Sequence, residues 1–360
     1  MVRWKCRTSE RIIKKSIAGF IIFLGISGAI QGQTPRKSRD HDSSFYSSYR
    51  ENLVARIYLS RKYTTLKLTP PGDHGVPVMK YRPNTTLNIG IGGTYRSLTL
   101  NIGVGINSFN PNKERGETHY LDLQAHFYAR KWNFDLLGQF YRGYYLSPQG
   151  LAAPEGKNYY TRPDLRVQVG GIATYRALND RRFSYQAGLV QNEWQKKSAG
   201  SILVGGEVYY GAFHADSTLV PANVDTSYAA RGIQRVHFFE IGPGVGYGYT
   251  VVVKKHFFLL ASATVHLALR YVREKEIGKN ADNIDFTPNF IFHAGFGYNS
   301  EKWDLSMLWV SNRTYIKGPA SDYKYTIDAG NYRLIFAKRF TLNRKVKKVL
   351  QPINNLIESH

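Results

Sequence analysis

The chain all but lacks cysteine. Its single one, Cys6, precedes the first apolar run, so the sequence beyond it forms no disulfide and offers no thiol nucleophile, even in an oxidising compartment. The same position argues against a lipoprotein, whose modified cysteine would follow such a run. Methionine is scarce, at 3 residues. No long apolar stretch follows residue 29, which excludes a helical membrane protein. A barrel is not excluded, because each barrel strand turns only alternate residues to lipid. Acidic residues are few as well: 26 Asp and Glu stand against 49 Lys and Arg, a net +23. Charge of that size raises nucleic acid as a partner. Here the cations are dispersed among turns and the chain is headed for export, so an anionic lipopolysaccharide or an acidic solute fits better.

What is present begins with an export signal. Arg3, Lys5, Arg7, Arg11, Lys14 and Lys15 precede an apolar run from Ile17 to Ala29. The run falls short of the roughly 20 residues a membrane helix needs and suits a signal peptide, with Ser27-Gly28-Ala29 or the bond after Gly32 as cleavage site. The expected organisation is a signal peptide over 1–32, a polar periplasmic lead-in over 33–53, a barrel over 54–341 and a basic amphipathic tail over 342–360. The expected address is the outer membrane of a Gram-negative cell.

From Leu87 onward the residues alternate with a period of two. Leu98, Leu100, Ile102, Val104 and Ile106 share one face, with Thr99, Asn101, Gly103, Gly105 and Asn107 on the other. Leu259 to Leu269 repeats the pattern, and Tyr332, Leu334 and Phe336 close the series. Many segments reach about 11 residues, the length of a tilted membrane strand, where soluble strands average 5–6. Connections divide into short turns (Arg96-Ser97, Arg130-Lys131, 179–182, 254–256, 299–302) and long loops (107–119, 145–163, 214–235, 273–288, 312–330), as in outer-membrane barrels. Tyr95, Trp132, Tyr175, Phe183, Phe257, Tyr298 and Trp303 flank the short turns and read as an interfacial aromatic girdle. The expected fold is therefore all-β: a transmembrane antiparallel up-and-down barrel of about 12 strands, within a range of 10–14.

Chemical motifs are sparse. Gly242, Gly244, Gly246 and Gly248 resemble a dinucleotide loop, but such a loop must open a helix, and the run continues as strand; the glycines suit one crowded face of a curved strand. The histidines show no metal spacing; His126, His266 and His293 fall on the small, polar face, and although no serine neighbours them in sequence, a serine paired with one across strands, as a barrel lipid hydrolase would need, stays open. No catalytic residue, cofactor or metal is expected. Charges facing lipid are costly, so Asp122, His126, Arg166, Gln168, Glu207, His266 and Arg270 are expected in the lumen. There they either select permeating ions or pair and plug the barrel. Lys196 and Lys197, followed by Ser198-Ala-Gly-Ser201, offer an anion-binding alternative to a tight basic connection.

Several short motifs recur together: Tyr81-Arg-Pro-Asn84, Gly116-Glu-Thr118, Gln139-Phe-Tyr-Arg-Gly-Tyr-Tyr145, Arg162-Pro-Asp-Leu165, Phe183-Ser-Tyr185 and Gln195-Lys-Lys-Ser-Ala-Gly-Ser201. With them the chain resembles the Bacteroidetes domain-of-unknown-function family numbered 4421, from about Tyr46 to Phe340, although Arg142 stands where a lysine is more usual. The resemblance implies an outer-membrane barrel and no particular activity. Two expectations follow from the residues. One is a conduit or transport-type barrel with a basic, aromatic lumen favouring anionic solutes. The other is a non-conducting structural or binding barrel that engages lipopolysaccharide or a surface partner through its loops.

Overall fold

The computed structural model describes residues 41–70, 78–96, 98–106, 112–128, 132–224, 232–276, 278–319 and 324–342, with the backbone alone for Leu98 and for 124–128. The leader and the basic tail lie outside these residues, as does the side chain of His126.

Fifteen strands appear among the described residues: β1 (Tyr46–Ser48), β2 (Asn52–Thr69), β3 (Met79–Arg82), β4 (Leu87–Tyr95), β5 (Leu98–Ile106), β6 (His119–Tyr128), β7 (Trp132–Ser147), β8 (Thr161–Ala177), β9 (Glu193–Gln195), β10 (Ala199–His214), β11 (Ile233–Val253), β12 (Phe257–Glu276), β13 (Lys279–Asn299), β14 (Trp303–Lys317) and β15 (Lys324–Thr341). One short helix, α1, spans Tyr185–Leu189. All strand pairs are antiparallel, and β15 pairs with β2 from Lys324↔Thr69 to Thr341↔Asn52. That last pairing joins the two ends of the sheet, and closure removes the exposed edges an open sheet would present.

The closed ring holds ten strands, at the low end of the expected range. Three more attach to it: the β4–β5 hairpin pairs onto β2 at Leu53–Ser60, and β6 pairs onto β7. Higher up, β3 bridges β2 at Leu66–Leu68 and β7 at Tyr145–Ser147. β2 is a full ring strand, whereas the short β9 pairs with β1 in a separate two-stranded sheet and with no ring strand.

Two of the expected long loops prove to be largely strand: 312–330 is taken up by β14 as far as Lys317 and by β15 from Lys324, and 273–288 by β12 and β13. Residues 273–276 and 279–288 extend β12 and β13 to a tight turn in which Gly278 takes φ +83°. Charged residues read as loop from sequence alone, yet here they pair across the ladder: Arg273 grips Asp282 at 2.7 and 2.9 Å. At the opposite end, Lys254 and Lys255 take positive φ values of 50° and 63° in the turn between β11 and β12, the backbone hand that matches a twisted hairpin.

Alternation along β12 separates the two faces. Phe257, Leu259, Leu267, Leu269 and Tyr271 are exposed outward, while Ser262, Thr264, His266, Arg270 and Glu274 are buried inward. Ile91, Ile102, Val245, Tyr247, Phe286, Phe296 and Leu334 extend the exposed apolar surface across other strands. An apolar surface that wide is unfavourable in water and is matched by the hydrocarbon of a bilayer.

Candidate functional site

The lumen is the natural place to look for function, and it is filled at three levels. The first lies at the short-turn end. After β8 the chain turns at 178–182 and dips inward as α1 and β9 before returning as β10. Ser184 N-caps α1, its Oγ accepting from Ala187 N at 2.9 Å and donating to Glu193 Oε2 at 2.5 Å. The whole of Ser184–Glu193 is buried. Wall arginines hold it by its carbonyls: Arg56 donates to Val190 O at 2.8 Å, and Arg339 donates to Gln191 O and Glu193 O at 3.0 Å each. Asn299 Nδ2 adds a bond to Glu193 O at 3.1 Å. These contacts satisfy backbone groups that a buried irregular segment would otherwise leave unpaired. Burial pushes the Glu193 carboxyl above the ordinary glutamate range.

Tyr185 carries the segment's deepest contacts. Its hydroxyl lies 2.7 Å from Ser262 Oγ and 2.8 Å from His293 Nδ1, and His293 Nε2 is 3.7 Å from Asp135. Ser262 and His293 are direct cross-strand partners, so a serine and a histidine do meet, at 3.5 Å. Tyr185 sits between them, however, and the group serves to anchor the inserted segment.

The second level is an ionic network at mid-lumen. Arg270 is fully buried and donates to Glu240 Oε2 through Nε at 2.6 Å, to Asn289 Oδ1 at 2.8 Å and to Thr287 Oγ1. Asn289 Nδ2 in turn bridges Glu207 at 2.6 Å and Glu240 at 2.9 Å. His266 Nδ1 approaches Glu207 Oε2 to 3.3 Å without hydrogen-bonding geometry. Gly244 makes room for this ring, since a Cβ there would run into the imidazole. The wider interior holds both signs, with Arg56, Arg162, Arg270 and Arg339 buried alongside Glu207, Glu240, Glu274 and Asp304.

The third level, at the long-loop end, is apolar. Tyr81, Tyr141, Phe213, Phe238, Val272 and Tyr325 pack with Leu219, Val220 and Val224 from the β10–β11 connection. Tyr81 Oη donates to Leu219 O at 2.5 Å. Two cavities beside the inserted segment, one lined by Arg56 and Val190 and the other by Tyr185 and Glu193, measure about 20 and 10 Å³, on the scale of single waters.

Of the residues singled out from sequence, Asp122, Glu207, His266 and Arg270 face inward, with Asp122 held by Lys62 at 3.2 Å and Tyr141 at 2.8 Å. Arg166 and Gln168 require correction. Leu165, Val167 and Val169 are the buried partners on β8, so Arg166 and Gln168 point outward; the strand is inverted because the upper lumen is itself an apolar core. Lys196 and Lys197 lie in a connection, as the sequence suggests. They follow β9 at the mouth, where Lys196 donates to Ser43 O and Lys197 lies 5.4 Å from the Phe45 ring. Among the aromatics, Trp132, Phe257 and Trp303 are exposed outward, and Trp303 stacks on Tyr298 at 4.5 Å. Tyr175 is corrected to an inward, buried ring 5.8 Å from His266, Phe183 is buried within the inserted segment, and Tyr95 is buried. The anchoring roles of Arg56, Tyr185, Asn299 and Arg339 escaped sequence reading, and Ser262 and His293 are legible there only as polar-face residues. Only the Phe183-Ser-Tyr185 motif hinted at those roles.

Among solved structures, a bacterial polysaccharide outer membrane secretin aligns with TM-score 0.34 and 8% identity, over 81% of this chain and 99% of its own. OmpT, an outer membrane protein of Vibrio cholerae, aligns at 0.25 and 9%, over 80% and 98%. OprG from Pseudomonas aeruginosa aligns at 0.20 and 13%, over 81% and 96%. These are likenesses of fold alone. No curated protein matches the chain. The family described as Domain of unknown function (DUF4421) matches residues 40–340, and the chain belongs to that family.

Proposed function

We propose that the chain is a transport-type barrel of the outer membrane, held shut at both ends and serving small polar solutes. One observation carries this reading: each seal includes a connecting segment that lies outside the barrel ladder and packs onto inward side chains of the strands. Residues 184–195 close one end through polar contacts to wall side chains, and the connection bearing Leu219, Val220 and Val224 closes the other. Either can move while the ladder stays intact. Between them lies a charged lumen, whereas a purely structural barrel needs no buried charges, and apolar side chains fill an interior at less desolvation cost. Since the interior carries both signs, the solute expected is polar with little charge preference, and the basic, anion-favouring lumen gains no support from the described residues.

A second reading, a non-conducting structural or binding barrel, is favoured by the apolar upper core, which blocks solute passage in this state. Liposome swelling separates the two. In the transport reading, proteoliposomes of an Arg56→Ala/Arg339→Ala variant with residues 215–231 shortened admit small neutral, acidic and basic solutes at similar rates, while wild type stays slow. Impermeability of that folded variant would favour the non-conducting barrel. A strong preference for anions would restore the basic-lumen form.

A further inference from the structure

A separate charge pattern lies on the outer face and plays no part in sealing the lumen. Along one register row the ladder sets His119 opposite Arg142, Arg142 opposite Arg166, Arg166 opposite His214, His214 opposite Arg235 and Arg235 opposite Lys275. All six point outward, because their chain neighbours Tyr120, Tyr141, Val167, Phe213, Val236 and Glu274 turn inward. Arg142, Arg235 and Lys275 are exposed, with Arg166 half-buried. The row thus places four permanent cations and two imidazoles side by side across six strands.

Like charges directly opposite one another disfavour strand pairing. Nearby carboxylates relieve little of this: exposed Asp216 acts on the His214 imidazole, and the others are engaged elsewhere. Asp282 is taken by Arg273 and Asp164 by Arg162 at 2.8 Å, and Glu117 approaches only His119, at 3.9 Å. Among the described residues no carboxylate lies within ion-pair distance of Arg142, Arg166, Arg235 or Lys275. Arg142 instead donates Nε to Pro163 O at 3.1 Å.

The surroundings identify the missing anion. Four residues further from the rim, the outward positions on β10, β11 and β12 are Tyr210, Phe239 and Tyr271, and beyond them come Ile241 and Leu269. Basic, then aromatic, then aliphatic is the order met on passing from a lipid headgroup layer into hydrocarbon. The row sits at the long-loop end, which faces outward in barrels of this kind. Guanidinium groups in a line match phosphate, with two parallel N–H donors per contact.

We propose that this row is a docking surface for the headgroup phosphates of an outer-leaflet lipopolysaccharide. The proposal rests on placement in the outer membrane and not on the reading of the lumen, so swelling results do not decide it. Its test is native mass spectrometry of the full chain in detergent, titrated with diphosphorylated lipid A. Folding is checked by gel mobility before and after boiling. Wild type retains the lipid. An Arg142→Gln/Arg166→Gln/Arg235→Gln variant loses affinity by roughly tenfold or more, and a Lys254→Gln/Lys255→Gln control at the opposite end does not. Dephosphorylated lipid A binds wild type as weakly as phosphorylated lipid binds the triple variant. Should the triple variant fail to fold, the single Arg235→Gln variant and the salt dependence of wild-type binding give the same decision. Equal retention by wild type and the row variants, or equal binding of dephosphorylated lipid, would overturn the proposal. Full competition by inorganic phosphate would overturn it in favour of a free-anion site.

Discussion

Replacing Arg270 by methionine removes the one cation at the centre of the mid-lumen network while keeping most of its volume. Glu240 loses two short contacts, from Nε at 2.6 Å and Nη2 at 2.5 Å, and keeps only the Asn289 amide at 2.9 Å. Both side chains are fully buried. Breaking a buried pair by removing one partner costs about 3–5 kcal/mol, because an uncompensated charge is left behind. We expect Arg270→Met to destabilise the barrel by that amount. Adding Glu240→Gln should return part of the loss, since the amide carries no stranded charge, while Asp285, which Arg270 meets at 3.4 Å, keeps its own. The assay is urea unfolding in lipid vesicles, followed by gel mobility and tryptophan fluorescence, with free energies from linear extrapolation. A loss below about 1 kcal/mol, the size of an exposed ion pair, would mean that water reaches the network and that the lumen is not closed as described.

Three further outcomes follow from the same geometry. A Cβ at Gly205 would run into the backbone carbonyl of Thr174 on the adjacent strand, so Gly205→Val is expected to cost at least about 1–3 kcal/mol through overpacking; wild-type refolding yield, scored as the fast-migrating unboiled band, would contradict this. Trp194, His256, Tyr298 and Trp303 stack in series at 5.1, 5.1 and 4.5 Å, which ties the inserted segment to the outer girdle. His256→Ala should therefore speed protease cleavage within 184–195 several-fold, and unchanged cleavage would show that the stack holds nothing. Glu193 has a raised pKa because burial disfavours its charged form. Its contribution to docking is fully present below the ordinary glutamate value of about 4.3 and is lost as pH rises through the raised value. Amide exchange in 184–195, corrected for its intrinsic pH dependence, should accelerate over that window in wild type and stay flat in Glu193→Gln.

Period-two alternation and the split between short and long connections were enough to read an antiparallel barrel from the residues. Periodicity says which residues share a face, but it does not say which face is the lumen. The rule that apolar residues face lipid holds for β12, where Leu267 and Leu269 are outside and His266 and Arg270 inside. On β8 it fails, because Val167 and Val169 build the apolar seal and Arg166 is turned out. Tyr175 misled for the same reason, its inward side being set by Ala173 and Ala177. The inserted segment was illegible on other grounds. A helix of 5 residues is too short to show a 3.6-residue period, and its anchors come from Arg56, Asn299 and Arg339, up to 148 positions away in the chain. The charged tips of β12 and β13 read as loop because cross-strand pairs such as Arg273 and Asp282 leave no local signature.

The central claim, a membrane barrel shut by two movable segments, is tested most directly by single-channel recording in planar bilayers. Wild type should insert and stay electrically silent. A variant lacking residues 184–195 and with 215–231 shortened should show steady conductance with weak charge selectivity. Steady conductance from wild type, or silence from the folded double-deletion variant, would contradict the account.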